Sequence, residues 1–152
     1  MVWPDDVYSI VLAVVLGAAL GLEREIRGKA AGLRTNVLIC VGAALFTIIS
    51  ERMAAAHDAS VTRIAAQIVT GVGFLGAGAI IQDRAGIHGL TTAATIWIVA
   101  SIGMACGAGL YLLAAITTGV AFVVLIGLAK LAKSAELHAT KQKTQENGND
   151  NA

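Results

Sequence analysis

Five long apolar runs separated by short polar stretches dominate this chain. They cover about residues 6–22, 33–50, 64–82, 90–107 and 109–129. The third, IAAQIVTGVGFLGAGAIIQ, carries no charge from Ile64 to Gln82. A bilayer core of about 30 Å needs roughly 20 apolar residues of helix. Runs of this length predict an all-α, polytopic membrane helix bundle of about five transmembrane helices over residues 1–133. The first run is short and leans on Trp3 and Tyr8 as interfacial anchors. Its N-terminal flank, MVWPDD, lacks a basic segment, so the run is expected to stay as an anchor rather than be cleaved. Gly107, Ala108 and Gly109 predict a very short turn between the last two runs. Residues 134–152, SAELHATKQKTQENGNDNA, are too polar to bury a core and are expected to form a disordered cytoplasmic tail, with His138 solvated.

Charge sets an orientation. Arg24, Arg27, Lys29, Arg34, Arg84, Lys130, Lys133, Lys141 and Lys143 share one side of a five-span chain. Only Arg52 and Arg63 lie on the other, beside Asp5, Asp6, Glu51 and Asp58. Lys and Arg concentrate in cytoplasmic loops, so the N-terminus is expected outside and the C-terminus in the cytoplasm of a bacterial inner membrane. Trp3, Tyr8 and Tyr111 then fall near the outer interface, and Trp97 is a mid-span packing residue.

Composition agrees with this class. Of 152 residues, 57% are hydrophobic and 14% charged, against about 45–50% and 25% in soluble domains. A net charge of +1 gives no field to recruit nucleic acid. Cys40 and Cys106 stand alone inside apolar runs, without metal-ligand or redox spacing, and read as small buried residues.

GVGFLGAG at 71–78 has the G-x-G-x-x-G spacing of a dinucleotide loop. That loop needs a preceding strand, a following soluble helix and an acidic residue about 20 positions on, and this context is missing. A nucleotide-binding enzyme is therefore a remote reading. Four glycines in eight residues would weaken a soluble helix by roughly 3–4 kcal/mol, but a membrane helix uses them for close packing. At about 100° per residue, Gly71 and Gly78 share one side while Gly73 and Gly76 lie nearly opposite. Two smooth faces predict that the third span is the centre of the bundle, or has one intrachain face and one dimer face. Gly17 and Gly21, and Gly103 and Gly107, repeat the G-x-x-x-G theme.

A polar cluster is expected at the cytoplasmic edge. Glu23, Arg24, Glu25 and Arg27 follow the first run, and Arg34, Thr35 and Asn36 open the second. Asp83, Arg84, His88, Thr91 and Thr92 lie at the same face. Glu23 and Arg27 have the i, i+4 spacing of a helical ion pair. Locking of the bundle ranks above ion handling for this group. Asn36 and Gln67 lie deeper and are expected to hydrogen-bond across helices. Arg63 is placed to pair with Glu51 or Asp58, and His57 to be solvated. No nucleophile elbow, metal-ligand spacing or carboxylate pair appears, so no catalytic residue, cofactor or metal site is expected.

GLERE with RGKAAGLRT over 21–35, RIAAQIVTGVGFLGAGAII at 63–81 and GLTTAATIW at 89–97 resemble the MgtC/SapB family of bacterial membrane proteins. The resemblance covers about residues 10–128. It implies an inner-membrane protein of several spans, tied to growth under magnesium limitation and, in pathogens, to virulence. Such proteins were first described as magnesium-transport ATPase components, yet lack ATPase machinery. The resemblance implies regulation of membrane physiology, with a second copy or a membrane complex such as ATP synthase as partner. The matching positions are Glu23, Arg24, Glu25, Gly32, Arg34, Thr35 and Asn36; Arg63, Gln67, Gly71, Gly73, Gly76 and Gly78; and Gly89, Thr91, Thr92 and Trp97. Many members carry a soluble C-terminal domain, where this sequence has a short polar tail. The leading expectation is a non-enzymatic regulator acting by helix–helix contact. The alternative is an Mg2+ carrier or channel component using Glu23, Asn36 and Asp83 as oxygen donors.

Overall fold

A computed structural model describes residues 4–57, 62–84 and 86–129. The polar tail, Trp3 and Asp58 lie outside the described residues, as do the side chains of His57 and Arg63. The elements run α1 (Pro4–Ile26), α2 (Leu33–His57), α3 (Thr62–Gly78), β1 (Ile81–Asp83), β2 (Gly86–His88), α4 (Leu90–Gly107) and α5 (Tyr111–Phe122). A π-helical segment, Val123–Leu128, continues α5. The chain divides into two units, Met1–Thr118 and Gly119–Ala152. The second is described only from Gly119 to Ala129, as the end of α5 and the π-helical segment.

The helices start and stop for local reasons. Pro4 opens α1, where its missing N–H costs nothing, and Asp5 and Asp6 meet the positive end of the helix dipole. Gly28, with φ 62°, turns the chain out of α1. Gly109, with φ 71°, does the same after α4, in the short turn expected there.

Pro4–Ile26, Leu33–Ala55, Leu90–Gly107 and Tyr111–Leu128 are long and apolar enough to cross a bilayer. The third helix differs from the expected run of 64–82. It ends at Gly78, and Ile81–Asp83 pairs antiparallel with Gly86–His88. The reason is a turn: the Asp83 carboxylate accepts the Gly86 N–H at 3.1 Å, with Gly86 at φ 131°. Gly89 closes the hairpin base at φ 88°, where a Cβ would overlap the Ala79 carbonyl oxygen. The 17 residues of α3 reach about 25 Å.

Within the first unit, α1, α2 and α4 make the core. One stripe of α1, through Ser9, Ala13, Gly17, Gly21 and Arg24, is buried. Residues of α4 from Thr92 to Gly107 are the most enclosed. Leu20, Val99, Ile102, Cys40, Cys106 and Asn36 are the largest side chains fully shut away. α3 leans on this core through Ile68 and Val72, which join Ala31, Ala43, Ile96 and Ala100 in one cluster. Its remaining surface is open: Phe74 is 82% exposed. α3 is therefore peripheral, which corrects its expected place at the centre of the bundle. The physical reason is backbone approach: the tight glycine contacts belong to α1 and α4, and both grip α2.

Gly17 faces the Cβ of Cys40, where an added Cβ would sit 2.8 Å away, and Gly21 faces the Cα of Leu33 at the same distance. Gly103 lies against the Cys40 carbonyl and Gly107 against the Ala44 carbonyl, so close that a Cβ would overlap either oxygen. Both G-x-x-x-G notches thus meet at Cys40, one below it and one above it on the same stripe of α2. α2 tolerates this because it presents Cys40, Ala43, Ala44 and Thr47 there, and Thr47 satisfies its own hydroxyl on the Ala43 carbonyl at 2.8 Å.

Candidate functional site

The charged residues gather where α1 ends, α2 and α4 begin and α3 terminates. Gly21 lets α1 press on the start of α2, so the residues just beyond it are covered although charged. Glu23 and Arg24 are buried, 8% and 3% exposed. Arg27 Nε lies 2.6 Å from Glu23 Oε1 in the expected i, i+4 pair, and Arg24 Nη1 is 4.0 Å from Glu23 Oε2. The Arg27 contact is close but poorly aimed, so neither Glu23 oxygen receives a hydrogen bond. Arg24 Nη2 donates to Thr92 Oγ1 at 3.3 Å, tying α1 to α4. Two guanidinium groups thus face one carboxylate.

Glu25 has a different task. Its Oε2 accepts the Leu33 N–H at 2.7 Å, capping the first turn of α2. A Cβ on Gly32 would overlap that carboxylate, so a larger residue there would displace the cap. Asn36 is fully buried and donates Nδ2 to the Ala31 and Gly32 carbonyls at 2.7 and 2.8 Å. It therefore braces the turn before its own helix rather than bridging to another, and Oδ1 receives no hydrogen bond. Gln67, the other amide, is exposed.

The rest of the expected cluster is spread out. Arg34, Thr35, Asp83, Arg84 and Thr91 are exposed. Asp83 sits on the hairpin 3.5 Å from His88 Nε2. Among the described residues, no three His, Cys, Asp or Glu side chains group as metal ligands.

The eight glycines also part company. Gly17, Gly21, Gly103 and Gly107 hold the core contacts. Gly76 rests on the Trp97 indole at 3.6 Å. Around Gly71, Gly73 and Gly78 an added Cβ would meet nothing within 4 Å. All four α3 glycines lie in the helix interior or at its end, so no helix N-terminus follows them to receive a phosphate.

Several tying residues were not singled out beforehand. The Ser9 and Tyr111 hydroxyls share a hydrogen bond of 3.1 Å, and the Tyr8 and Tyr111 rings meet edge to face at 4.8 Å. Arg52 donates to both carboxylate oxygens of Asp6, 2.7 and 2.5 Å away. Thr95 is buried and bonds the Thr91 carbonyl at 2.7 Å. The available signal was weak: each pair lies on the same expected side of the membrane.

The sequence profile of the MgtC family matches residues 10–134. The chain is 42% identical over 144 residues to protein slr0014 of Synechocystis, covering 93% of this chain and 61% of that one. Protein MgtC of Brucella abortus is 43% identical over 145 residues, 93% of this chain and 60% of its own length. YhiD of Escherichia coli K12 is 49% identical over 113 residues, 70% of this chain and 53% of its own. The chain thus spans about three fifths of the length of the first two relatives. No solved structure matches it significantly. The profile match over most of the chain, on a bundle of apolar helices, makes this chain a member of the MgtC family.

Proposed function

We propose that this chain is a non-enzymatic regulator of the bacterial inner membrane, acting by helix–helix contact through the outward face of α3. One observation carries the reading. At about 100° per residue, Ala66, Thr70, Gly73 and Ala77 fall within about 60° of one another, opposite the buried stripe of Ile68 and Val72. Ala66, Thr70 and Ala77 are exposed, and Gly73 has open space where a Cβ would be. A face of small residues lets another helix approach closely in lipid. The family resemblance supplies the setting: adaptation to magnesium limitation and, in pathogens, virulence. The occupant is a second copy or a membrane complex such as ATP synthase. The bias of Lys and Arg supports a cytoplasmic C-terminus.

The test is in-cell crosslinking of the full chain under magnesium limitation. Gly73→Leu is expected to lose the crosslinked species, while Gly71→Leu, on a different face, keeps it. Unchanged crosslinks in a folded Gly73→Leu variant would sink the proposal.

A second reading, an Mg2+ carrier, has one observation in its favour: the buried Glu23 carboxylate receives no hydrogen bond. The name of the relative YhiD ranks that protein as a candidate magnesium transporter. Mg2+ takes one or two carboxylates and keeps several waters, but Arg24 and Arg27 beside Glu23 oppose a cation. Magnesium uptake by liposomes holding the purified chain, lost in Glu23→Gln, would favour this reading; no flux with folded protein would remove it.

A further inference from the structure

The seam between α2 and α3 is not filled by this chain. Near the charged end it opens into a cavity of about 550 Å3, with Arg34, Thr35 and Gly78 at its foot. Further along, it continues as a second cavity of about 510 Å3, past Gly42, Phe46 and Gly71. Leu38, Ile39 and Leu75 wall both stretches, so the two form one groove. Gly42 and Gly71 have nothing within 4 Å of a Cβ, which keeps the groove open there.

The ends of the groove differ in chemistry. Its foot is basic. Arg34 is exposed and has no ion-pair partner among the described residues, with Lys29 exposed beside the same turn, where Arg27 is held by Glu23. The nearby Glu25 carboxylate is engaged on the Leu33 N–H. The remainder is walled mainly by aliphatic and aromatic side chains, with Thr92 in the first stretch and the Gln67 amide in the second. From Arg34 to Phe46 the helix advances roughly 18 Å at 1.5 Å per residue. That is close to one leaflet of hydrocarbon, about half of the 30 Å core.

We infer that the α2–α3 groove binds one anionic phospholipid, its phosphate at Arg34 and Thr35 and an acyl chain along Leu38, Ile39 and Leu75 toward Phe46. A largely apolar groove about one leaflet long, with an unpaired positive charge at its interfacial end, fits that amphiphile. A free phosphate would leave the channel empty, and a neutral lipid would leave Arg34 unanswered. The site is independent of the outward α3 face, which lies on another side of that helix.

The test is lipid analysis of the full chain, purified in mild detergent from nanodiscs of mixed phosphatidylglycerol and phosphatidylcholine. The wild type is expected to retain phosphatidylglycerol above its share in the disc. Arg34→Gln should reduce that enrichment about fivefold, the weight of one basic residue at a charged membrane surface. Gly71→Leu, which has room for its side chain, should block the channel and lower the retained lipid while the protein stays folded. Glycerol phosphate without acyl chains should not compete. Four results would each overturn the inference: bulk composition in the wild type, enrichment that survives both variants, equal retention of phosphatidylcholine, or displacement by glycerol phosphate. A copy of this chain or another helix in the groove would appear as stoichiometric protein in place of lipid, and would also overturn it.

Discussion

Replacing Gly103 with alanine tests the tightest contact of the core. The new Cβ would overlap the Cys40 carbonyl oxygen and stand 2.9 Å from its carbon and 3.0 Å from the Ala43 Cβ. These are backbone and short side-chain atoms, so no flexible end can swing aside. Cys40 is fully buried on the core-facing stripe of α2, so the overlap is relieved only by moving the two backbones apart. Overpacking of this kind costs about 1–3 kcal/mol. Alanine returns about 1 kcal/mol as a better helix former than glycine, so the net loss is roughly 0–2 kcal/mol. Gly71→Ala is the internal control: with open space around it, the same change should stabilise by about 0.4–1 kcal/mol. Unfolding of the full chain in lipid–detergent micelles can be followed by a thiol-reactive dye. Cys40 and Cys106 are free and fully buried, so they react only when the bundle opens. If Gly103→Ala proves as stable as Gly71→Ala, the account of a close α4–α2 backbone approach at Gly103 is wrong.

Three further outcomes can be checked in the same assay. Thr92→Val should cost about 1–3 kcal/mol by removing the hydroxyl that Arg24 uses in a buried place, whereas Thr91→Val, exposed, should be nearly neutral. Glu25→Ala should cost about 0.5–2 kcal/mol through loss of the α2 cap, with Glu25→Gln, which keeps an acceptor, falling between. Tyr111→Phe should lose about 0.5–1.5 kcal/mol, because the bond to Ser9 goes while the ring contact with Tyr8 remains.

Apolar runs announced every helix, because a bilayer core leaves the chain little choice between 17 and 25 residues. They were blind at the end of α3. Ile80, Ile81 and Gln82 carry no charge, so hydropathy extends the helix through them. What stops it is Asp83 bonding to Gly86 across four residues, a turn signal that the apolar count outweighed. Phase arithmetic set Gly71 and Gly78 apart from Gly73 and Gly76, yet Gly76 alone rests on a neighbour, the Trp97 indole, because periodicity says only which residues share a face. It does not say what lies opposite. Gly17 and Gly103 reach α2 because α2 offers Cys40 and Ala43 at that height, and that match between helices distant in sequence is not written in either one. The same holds for the charged cluster. Glu23 and Arg24 look like edge residues in sequence, and only the close approach permitted at Gly21 buries them.

The contacts of α1 and α4 with α2 differ in when their partners are synthesised. The Gly17 and Gly21 contacts of α1 with α2 need nothing further along the chain, whereas Arg24 and Ser9 find Thr92 and Tyr111 only once α4 and α5 are made. α3 emerges next, with only part of its resting surface in place, because Ile96, Trp97 and Ala100 belong to a helix not yet made. It must wait at the side of the pair until α4 arrives. Then Gly103 and Gly107 close on α2, and the same helix brings α3 its support. During that interval α3 is the segment most open to whatever the insertion machinery, or another protein, offers it.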